Sequence, residues 1–281
     1  MYVRQVTLTD FRNYTRQTAD FCEGLNVIEG LNTAGKTNLV ESVYMGGIGK
    51  SPRGAKDKEL IRFGADCAHI TLQVQKRYRA HRIDIHITQK AKSVSIDGVA
   101  IGKLADLMGV LNVVFFSPDE LKIVKEDPSF RRRFINIGLC QQNQSYFKTL
   151  TEYNRILENR NALLKNATSV AELQDTLPVW NEQLAKKGAK LIVMRQEFVQ
   201  TLQSIADPIH RAMAGEKGDL TLQYSEYPYT QEEPLYQYLL QKLQDSLQKE
   251  WGTRYTLVGP HRDDFAIISE EKDLRTYGSQ G

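Results

Sequence analysis

The sequence is poor in cysteine and has no long apolar run, and both shortages exclude classes of protein. Its cysteines, Cys22, Cys67 and Cys140, are widely separated and odd in number. This predicts reduced thiols rather than a disulfide framework or a metal site. The longest apolar stretches, such as Val113 to Phe116, are far too short to cross a bilayer, and the first residues lack the apolar core of a signal peptide. We therefore expect a cytoplasmic protein without a membrane partner.

The length and the net charge of the chain exclude fewer classes of protein. The 281 residues suffice for one large domain or two ordinary ones, and 41% hydrophobic with 25% charged residues is typical of a globular protein. The net charge of +3 and the isoelectric point near 8.6 permit an acidic partner such as nucleic acid without requiring one.

Residues 1 to about 120 have the pattern of a mixed α/β domain. The stretch YVRQVTL predicts a first strand, and the apolar residues Leu25 to Glu29, flanked by glycines, predict a second. In HRIDIHITQK the residues Ile83, Ile85 and Ile87 share one face, and turn signals then lead to SVSI and VAI. We expect an antiparallel meander with one buried face.

From about residue 127 the apolar period changes to that of helices. Asp127 and Pro128 form a helix start. Two later sets of residues, separated by the predicted loop KNATSVAELQDTLP, recur at alternating spacings of four and three and predict an antiparallel helix pair. A coiled-coil-like seam and an ordinary bundle both fit. We expect the helices to break at the stretch ADPIHRAMAGEKGD. Another helix is predicted at EPLYQYLLQKLQDSLQKEW, and strands are predicted at TRYTLVGP and DFAII. The two sets are Tyr146, Leu150, Tyr153, Leu157, Arg160, Leu164 and Trp180, Leu184, Lys187, Leu191, Met194, Phe198.

One motif carries most of the chemical information. Residues 30–37 match the phosphate-binding pattern GxxxxGK[ST] at every fixed position, with an apolar segment before it and helical spacing after it. The glycines allow backbone N–H groups to surround phosphate oxygens at a helix N-terminus. Lys36 would reach the β- and γ-phosphates and Thr37 would help to hold Mg²⁺. The sequence therefore predicts a nucleoside triphosphate site, with residues Gly30, Leu31, Asn32, Thr33, Ala34, Gly35, Lys36 and Thr37.

The acidic residue that such sites normally place after a second apolar strand is not found. In DFAIISEE, Ser269 occupies the expected position, and in LVGPHRDDF the acids follow a turn. No complete catalytic set is therefore predicted. Either the site binds without efficient hydrolysis or the missing piece lies beyond residue 281.

Several motifs in order extend the interpretation. Six motifs occur in this order: FRNY, the phosphate-binding loop, FSPDELKIVKEDPSFRRRFIN, LTEYNRILENRNALLK, LVGPHRDDF and TYGSQG. With them the chain resembles, from Met1 to Gly281, the bacterial RecF family of DNA replication and repair proteins. The resemblance implies an α/β P-loop ATPase head of the ABC and SMC type, with an antiparallel β meander, interrupted by a helical lobe with a coiled-coil-like helix pair. It implies an ATPase lobe at residues 1–120, the helical lobe at 121–250 and a return to the ATPase lobe at 251–281.

The resemblance also implies a mechanism. Ser279 and Gly281 would begin the ABC signature motif, which contacts the ATP of a second subunit, so ATP would close a head-to-head homodimer. The family's apolar strand with its acidic pair follows that motif, so this chain would hydrolyse little or no ATP. The implied role is ATP-gated binding of gapped or duplex DNA with RecO and RecR, assisting RecA loading and SOS induction in recombinational repair at replication forks.

Some positions depart from the family or have several interpretations. Thr33, Ala34, Pro52 and Gly54 replace other residues, the latter two in a basic loop near Arg53. Arg12 would lie beside the nucleotide or be a solvated loop residue. Arg131, Arg132 and Arg133 span about 200° of a helix, so some could contact DNA phosphate while at least one is paired or solvated. The basic run from Lys76 to Arg82 fits a DNA contact or a charged edge strand. His261, Arg262 and Asp263 fit a polar cluster near the nucleotide or a hydrogen-bonded turn, and without metal-like spacing the turn is favoured.

Two other function classes remain open from the residues alone. A P-loop phosphotransferase would need a compact parallel sheet with an acceptor pocket, and the predicted meander and helix pair disfavour it. A nucleotide-regulated assembly module would bind ATP without contacting DNA.

Overall fold

The structure, a computed structural model, describes residues 1–214 and 219–277. The chain divides into two compact units. One comprises Met1–Phe116 and Cys140–Gln144, and the other comprises Ser117–Leu139 and the chain from Ser145 onward. The described residues after position 250 therefore group with the helical segments, and their assignment to an ATPase lobe stays a prediction.

An antiparallel sheet of six strands, in the order β2-β1-β3-β4-β5-β6, forms the first unit together with one helix, α1 (Lys36–Ile48). Alternation in β4 points Ile83, Ile85 and Ile87 into the core, as the meander prediction required. A Cβ at Gly46 would lie 2.8 Å from the Leu72 side chain, so this glycine lets α1 pack closely on the sheet. The strands are β1 (Tyr2–Phe11), β2 (Tyr14–Asp20), β3 (Cys67–Gln75), β4 (Ala80–Thr88), β5 (Lys92–Ile96) and β6 (Val99–Ala100).

The predicted strand at Leu25 to Glu29 is wrong. No strand is assigned at residues 21–35, and the Leu25 and Val27 side chains are 87% and 77% exposed. An apolar segment becomes a strand only where a neighbour accepts its backbone hydrogen bonds. No described strand pairs with this one.

At the extended segment around Val113, the side chain of a glutamine makes the backbone hydrogen bonds that a neighbouring strand would otherwise make. The Val113 N–H donates to Gln141 Oε1 at 2.6 Å, and Gln141 Nε2 donates to the Val113 carbonyl at 3.1 Å. One side-chain amide thus satisfies a donor and an acceptor that would otherwise need a second strand.

Helices dominate the second unit, together with a three-stranded antiparallel sheet in the order β7-β8-β9. The helix start predicted at Asp127 is confirmed, since its carboxylate accepts a hydrogen bond from the Ser129 N–H at 3.1 Å. The helices and strands from residue 122 onward are α2 (Lys122–Lys125), α3 (Pro128–Gln142), α4 (Gln144–Asn166), α5 (Val170–Ala214), β7 (Leu220–Tyr224), α6 (Glu232–Asp245), α7 (Leu247–Thr253), β8 (Phe265–Ser269), β9 (Lys272–Asp273) and α8 (Leu274–Tyr277), and residues 140–144 at the junction of α3 and α4 belong to the first unit.

The helices α4 and α5 run antiparallel, as predicted. Three polar contacts connect them in opposite order: Arg195 to Tyr146, Lys187 to Glu152, and Arg160 to Asn181. Lys187 and Arg160 interrupt the predicted apolar seam between the two helices. Each of them has a polar partner on the other helix, which explains why a basic residue is found there.

The helix α5 is longer at both ends than predicted. It begins at Val170 because the Ser169 hydroxyl accepts a hydrogen bond from the Glu172 N–H, while the Glu172 carboxylate accepts one from the Thr168 N–H. Pro178 and Pro208 both lie inside the helix, so the predicted loop is helical from Val170 onward and the predicted break is helical as far as Ala214. The stretch TRYTLVGP, predicted as a strand, is irregular in the structure.

The outer edge of β7 is closed by a second glutamine. Gln203 Nε2 donates to the Leu220 carbonyl, and Gln203 Oε1 accepts from the Leu222 N–H. Asp207 accepts from the Leu220 N–H at 3.0 Å. The helix α5 therefore completes the hydrogen bonds of a strand that has only one neighbouring strand in the described part of the chain.

A fully buried ion pair connects the helices of this unit. Arg160 donates to the Glu250 carboxylate at 2.6 Å, to Asn181 at 2.8 Å and to Thr256 at 2.7 Å. Both charged side chains have no exposed surface. A buried charge is tolerated only when it is paired and hydrogen-bonded, so the four residues depend on one another.

We expect Arg160→Met to lower the free energy of unfolding by about 3–5 kcal/mol, because Glu250 would keep a buried charge without its partner. Chemical denaturation followed by circular dichroism measures the loss. Arg155→Met, at an exposed position of α4, is the control and should change the value by less than about 0.5 kcal/mol. The double variant Arg160→Met/Glu250→Leu should recover much of the stability, and a double variant no more stable than Arg160→Met would contradict this account.

Candidate functional site

The phosphate-binding motif forms a loop that ends at the first residue of α1. Gly35 immediately precedes that helix with φ of 104°, and Lys36 is its first residue. The Lys36 ammonium turns back into the loop, where it donates to the carbonyls of Gly30 at 2.6 Å and Leu31 at 2.9 Å. The charge of this lysine and the N–H groups of the helix start therefore converge on one place.

The β1–β2 turn restricts the loop from the other side. A Cβ on Gly35 would lie 2.8 Å from atoms of Asn13 and Tyr14. Asn13 also accepts a hydrogen bond from Asn38 at 2.9 Å, which connects the turn to the first turn of α1. Glycine is thus required at position 35 both for its positive φ and for the close approach of the turn.

Arg12 extends from the same turn to a carboxylate buried in α1. Its guanidinium donates to both oxygens of Glu41 at 2.8 and 3.0 Å, and to the Glu59 carbonyl at 3.1 Å. A solvated loop position is therefore wrong for Arg12, which is largely buried and paired. Its predicted contact with a nucleotide stays a prediction.

Glu41 was missed by the sequence analysis, although a carboxylate within the apolar face of a helix is a signal for a buried partner. Besides Arg12 it accepts a hydrogen bond from the Ser51 hydroxyl, and its other oxygen lies 3.7 Å from Arg53. Arg53 also donates to Asn38 at 3.1 Å. The basic loop that contains the departures Pro52 and Gly54 is thus fixed against α1.

The loop has the features that a magnesium–triphosphate ligand requires. Lys36 supplies a cation, the helix start supplies N–H groups, and Thr37 is exposed at that end of α1. Among the described residues no group of three or more His, Cys, Asp or Glu side chains could hold a metal ion. A single threonine oxygen is nevertheless compatible with Mg²⁺, which keeps several waters and phosphate oxygens as ligands.

A second cluster of polar residues lies in the other unit, around the motif GPHRDD. Asp263 is buried and accepts hydrogen bonds from the hydroxyls of Tyr224 and Tyr227. Burial raises the pKa of both tyrosines, so they stay protonated donors. The prediction of a hydrogen-bonded turn for His261 is confirmed: its ring contacts the Tyr153 hydroxyl at 2.7 Å and the Thr256 carbonyl at 3.1 Å.

The three arginines predicted as DNA contacts have different environments. Arg131 is buried, and its guanidinium donates to Asp264 at 2.6 and 2.9 Å and to two backbone carbonyls. It is thus a paired member of the three, as the sequence analysis required of at least one, and its burial gives no support to a contact with DNA phosphate. Arg132 is half-buried and donates to the Asp263 carbonyl at 2.7 Å. Arg133 is exposed. For Arg132 and Arg133, DNA binding stays a prediction.

The predicted signature residues Ser279 and Gly281 lie outside the described residues. None of the helices in the described ranges is long and apolar enough to span a membrane.

Comparison with known proteins identifies the family. A family profile described as "AAA domain" matches residues 5–207. The DNA replication and repair protein RecF of Agathobacter rectalis is 41% identical over 284 residues, which cover 100% of this chain and 76% of the relative. The chain belongs to the RecF family.

Other RecF proteins agree with this assignment. RecF of Lachnoclostridium phytofermentans is 38% identical over 282 residues, covering 100% of this chain and 77% of the relative. A solved structure of the recombination mediator protein RecF with ATP, in the RecFOR pathway, superposes with a TM-score of 0.92 at 30% identity, covering 100% of this chain and 77% of that one. The predicted fold class and the predicted role in DNA replication and repair are thereby confirmed.

The buried histidine of the motif GPHRDD gives a prediction about how stability depends on pH. Burial lowers the pKa of His261 from 6.5 to about 4, so the folded protein keeps this ring neutral where the unfolded chain protonates it. Stability should therefore fall as the pH drops from about 6.5 to about 4, by up to about 3 kcal/mol from this residue. Denaturant titrations of the wild type and of His261→Gln, which cannot bind the proton, measure the difference in slope. His69→Gln, on a half-exposed histidine, is the control, and equal slopes for wild type and His261→Gln would contradict the prediction.

Proposed function

We propose that this chain is an ATP-dependent DNA-binding protein of recombinational gap repair. The observation that carries the proposal is the loop at residues 30–37, in which the Lys36 ammonium and the N-terminus of α1 converge where a triphosphate would lie. The solved RecF structure with ATP supports the choice of nucleotide.

The roles follow from the chemistry of each group. Lys36 offsets the charge of the β- and γ-phosphates, and the Thr37 hydroxyl is a ligand for Mg²⁺. Bound ATP supplies negative charge that the loop N–H groups and Lys36 neutralise. Arg12 holds the β1–β2 turn against α1 through Glu41, and so keeps Asn13 against Gly35.

The partners are those that the family suggests. The solved relative is named as a recombination mediator in the RecFOR pathway, which favours RecO and RecR as partners and DNA as the substrate. Gapped DNA is the form that the family resemblance implies. We propose an ATP-dependent homodimer in which Ser279 and Gly281 contact the nucleotide of the other copy.

Two other functions make different predictions for the same loop. A small-molecule phosphotransferase would transfer phosphate to an acceptor without binding DNA. An assembly module would bind ATP and dimerise without binding DNA. The six-stranded antiparallel sheet beside α1 and the match to RecF along the whole chain favour the DNA-binding protein.

We expect Lys36→Ala to abolish ATP-dependent dimerisation and ATP-dependent binding of gapped DNA, because the phosphates lose their main cation. Sedimentation measures dimerisation, and fluorescence anisotropy with labelled gapped DNA, with and without ATP and Mg²⁺, measures binding. Lys50→Ala removes the same charge from an exposed position just beyond the other end of α1 and should behave as wild type.

Each function predicts a separate result. DNA binding that needs ATP in the wild type and is lost in Lys36→Ala supports the proposal. ATP-dependent dimers that bind no DNA support the assembly module, and phosphate transfer to a small acceptor supports the phosphotransferase. A dimer that persists unchanged in Lys36→Ala would count against ATP gating.

A further inference from the structure

The hairpin that joins β3 and β4 ends in a basic tip, defined here as Lys76–Arg79. The two strands pair without interruption up to Gln75 and Ala80, and the Lys76 N–H donates to the Arg79 carbonyl at 2.9 Å. The tip is therefore a tight turn at the end of a continuous two-stranded ladder, and its position is fixed by that ladder.

Edge protection does not explain the basic tip of this hairpin. Charges on a strand often protect an unpaired edge from other chains. However, the tip residues lie in the turn, outside both strands, whereas β4 pairs with β3 along its whole length and with β5 only at Ile83–Ile87. The charged edge strand considered for this run therefore stays a prediction for His81 and Arg82, and the charge of the tip needs another reason.

Most of the basic side chains near the tip have partners within the unit. Lys76 donates to the Gly109 carbonyl at 2.8 Å. Arg79 pairs with Asp97 at 3.0 Å, and Arg82 pairs with Asp84 at 2.9 Å. These contacts hold the hairpin in place and give both arginines a carboxylate partner within the unit.

Arg77 and Tyr78 form the remaining part of the tip. Tyr78 is 86% exposed, although tyrosine residues normally bury the apolar faces of their rings. The Arg77 guanidinium lies over this ring, with Cζ 5.1 Å from its centroid. No ion pair of Arg77 with an acidic side chain occurs among the described residues.

We propose that Arg77 and Tyr78 bind single-stranded DNA, with an unpaired base stacked on the open face of Tyr78 and a backbone phosphate paired with Arg77. An exposed aromatic ring beside an arginine is the combination that binds nucleotides without reading their sequence. A gap in duplex DNA offers both groups, because its unpaired bases can leave the stack. This inference deepens the proposed function and rests on it.

The test measures the affinity of the whole chain, with ATP and Mg²⁺ present, for two probes. The probes are a labelled oligothymidine of roughly 20 nucleotides, longer than one binding site, and a blunt duplex of the same length. The salt dependence is followed between about 50 and 200 mM. Because both side chains are exposed at a turn, their substitution should leave thermal unfolding unchanged, and circular dichroism checks this.

The variants separate stacking from charge. Tyr78→Ser should weaken binding of the oligothymidine by at least about fivefold with an unchanged salt slope, whereas Tyr78→Phe keeps the ring and should bind as wild type. Arg77→Gln should reduce the salt slope on single strands by about 0.7. Lys90→Gln removes the same charge at the β4–β5 turn, roughly 30 Å away along β4, and is the matched control.

The outcomes distinguish this inference from the proposed function. If the wild type binds DNA and both Tyr78→Ser and Arg77→Gln bind the oligothymidine as wild type does, the inference is overturned and the proposed function stands. Equal weakening on duplex and single strand by Tyr78→Ser overturns base stacking. A wild type that binds neither these probes nor gapped DNA overturns both proposals.

Discussion

The carboxylate of Glu41 is the group on which the candidate site depends. It is buried in α1 without exposed surface and is compensated by Arg12, the Ser51 hydroxyl and the nearby Arg53. Because Arg12 extends from the end of β1, this ion pair fixes the β1–β2 turn against the helix that begins at Lys36. The shape of the phosphate-binding loop thus follows from a charge several residues along the helix, on its buried side.

Local patterns in the sequence predict those parts of the fold whose stabilising contacts are also local. The isoleucine alternation of β4, the turn signal at Asp97 and Gly98 and the cap at Asp127 all specify structure within a few residues. The strand expected at Leu25 to Glu29 has the right composition but no strand neighbour in the described chain. Helix α5 shows the opposite case: Pro178 suggests a loop, yet tertiary packing keeps the helix continuous.

The candidate site was predictable where residue type alone determines the chemistry. Lys36, Thr37 and the two glycines of the loop have few other uses in that order. Partners were not predictable, because they join residues far apart in the chain: Arg131 with Asp264, and Arg12 with Glu41. The sequence shows which residues carry a positive charge but does not show their partners. The structure adds how deeply each arginine is buried, and only the exposed arginines are available to a ligand.

The two glutamines that border extended segments, Gln141 and Gln203, have a further consequence. A primary amide presents one donor beside one acceptor, the same two-point pattern by which such side chains distinguish adenine from other bases. The donor and acceptor of the amide match the backbone C=O and N–H groups of a strand in only one register. A shift by one residue would point the matching backbone groups to the opposite side of the strand. Gln203 therefore fixes the register of β7 against α5, and it also satisfies the backbone hydrogen bonds on the outer edge of β7.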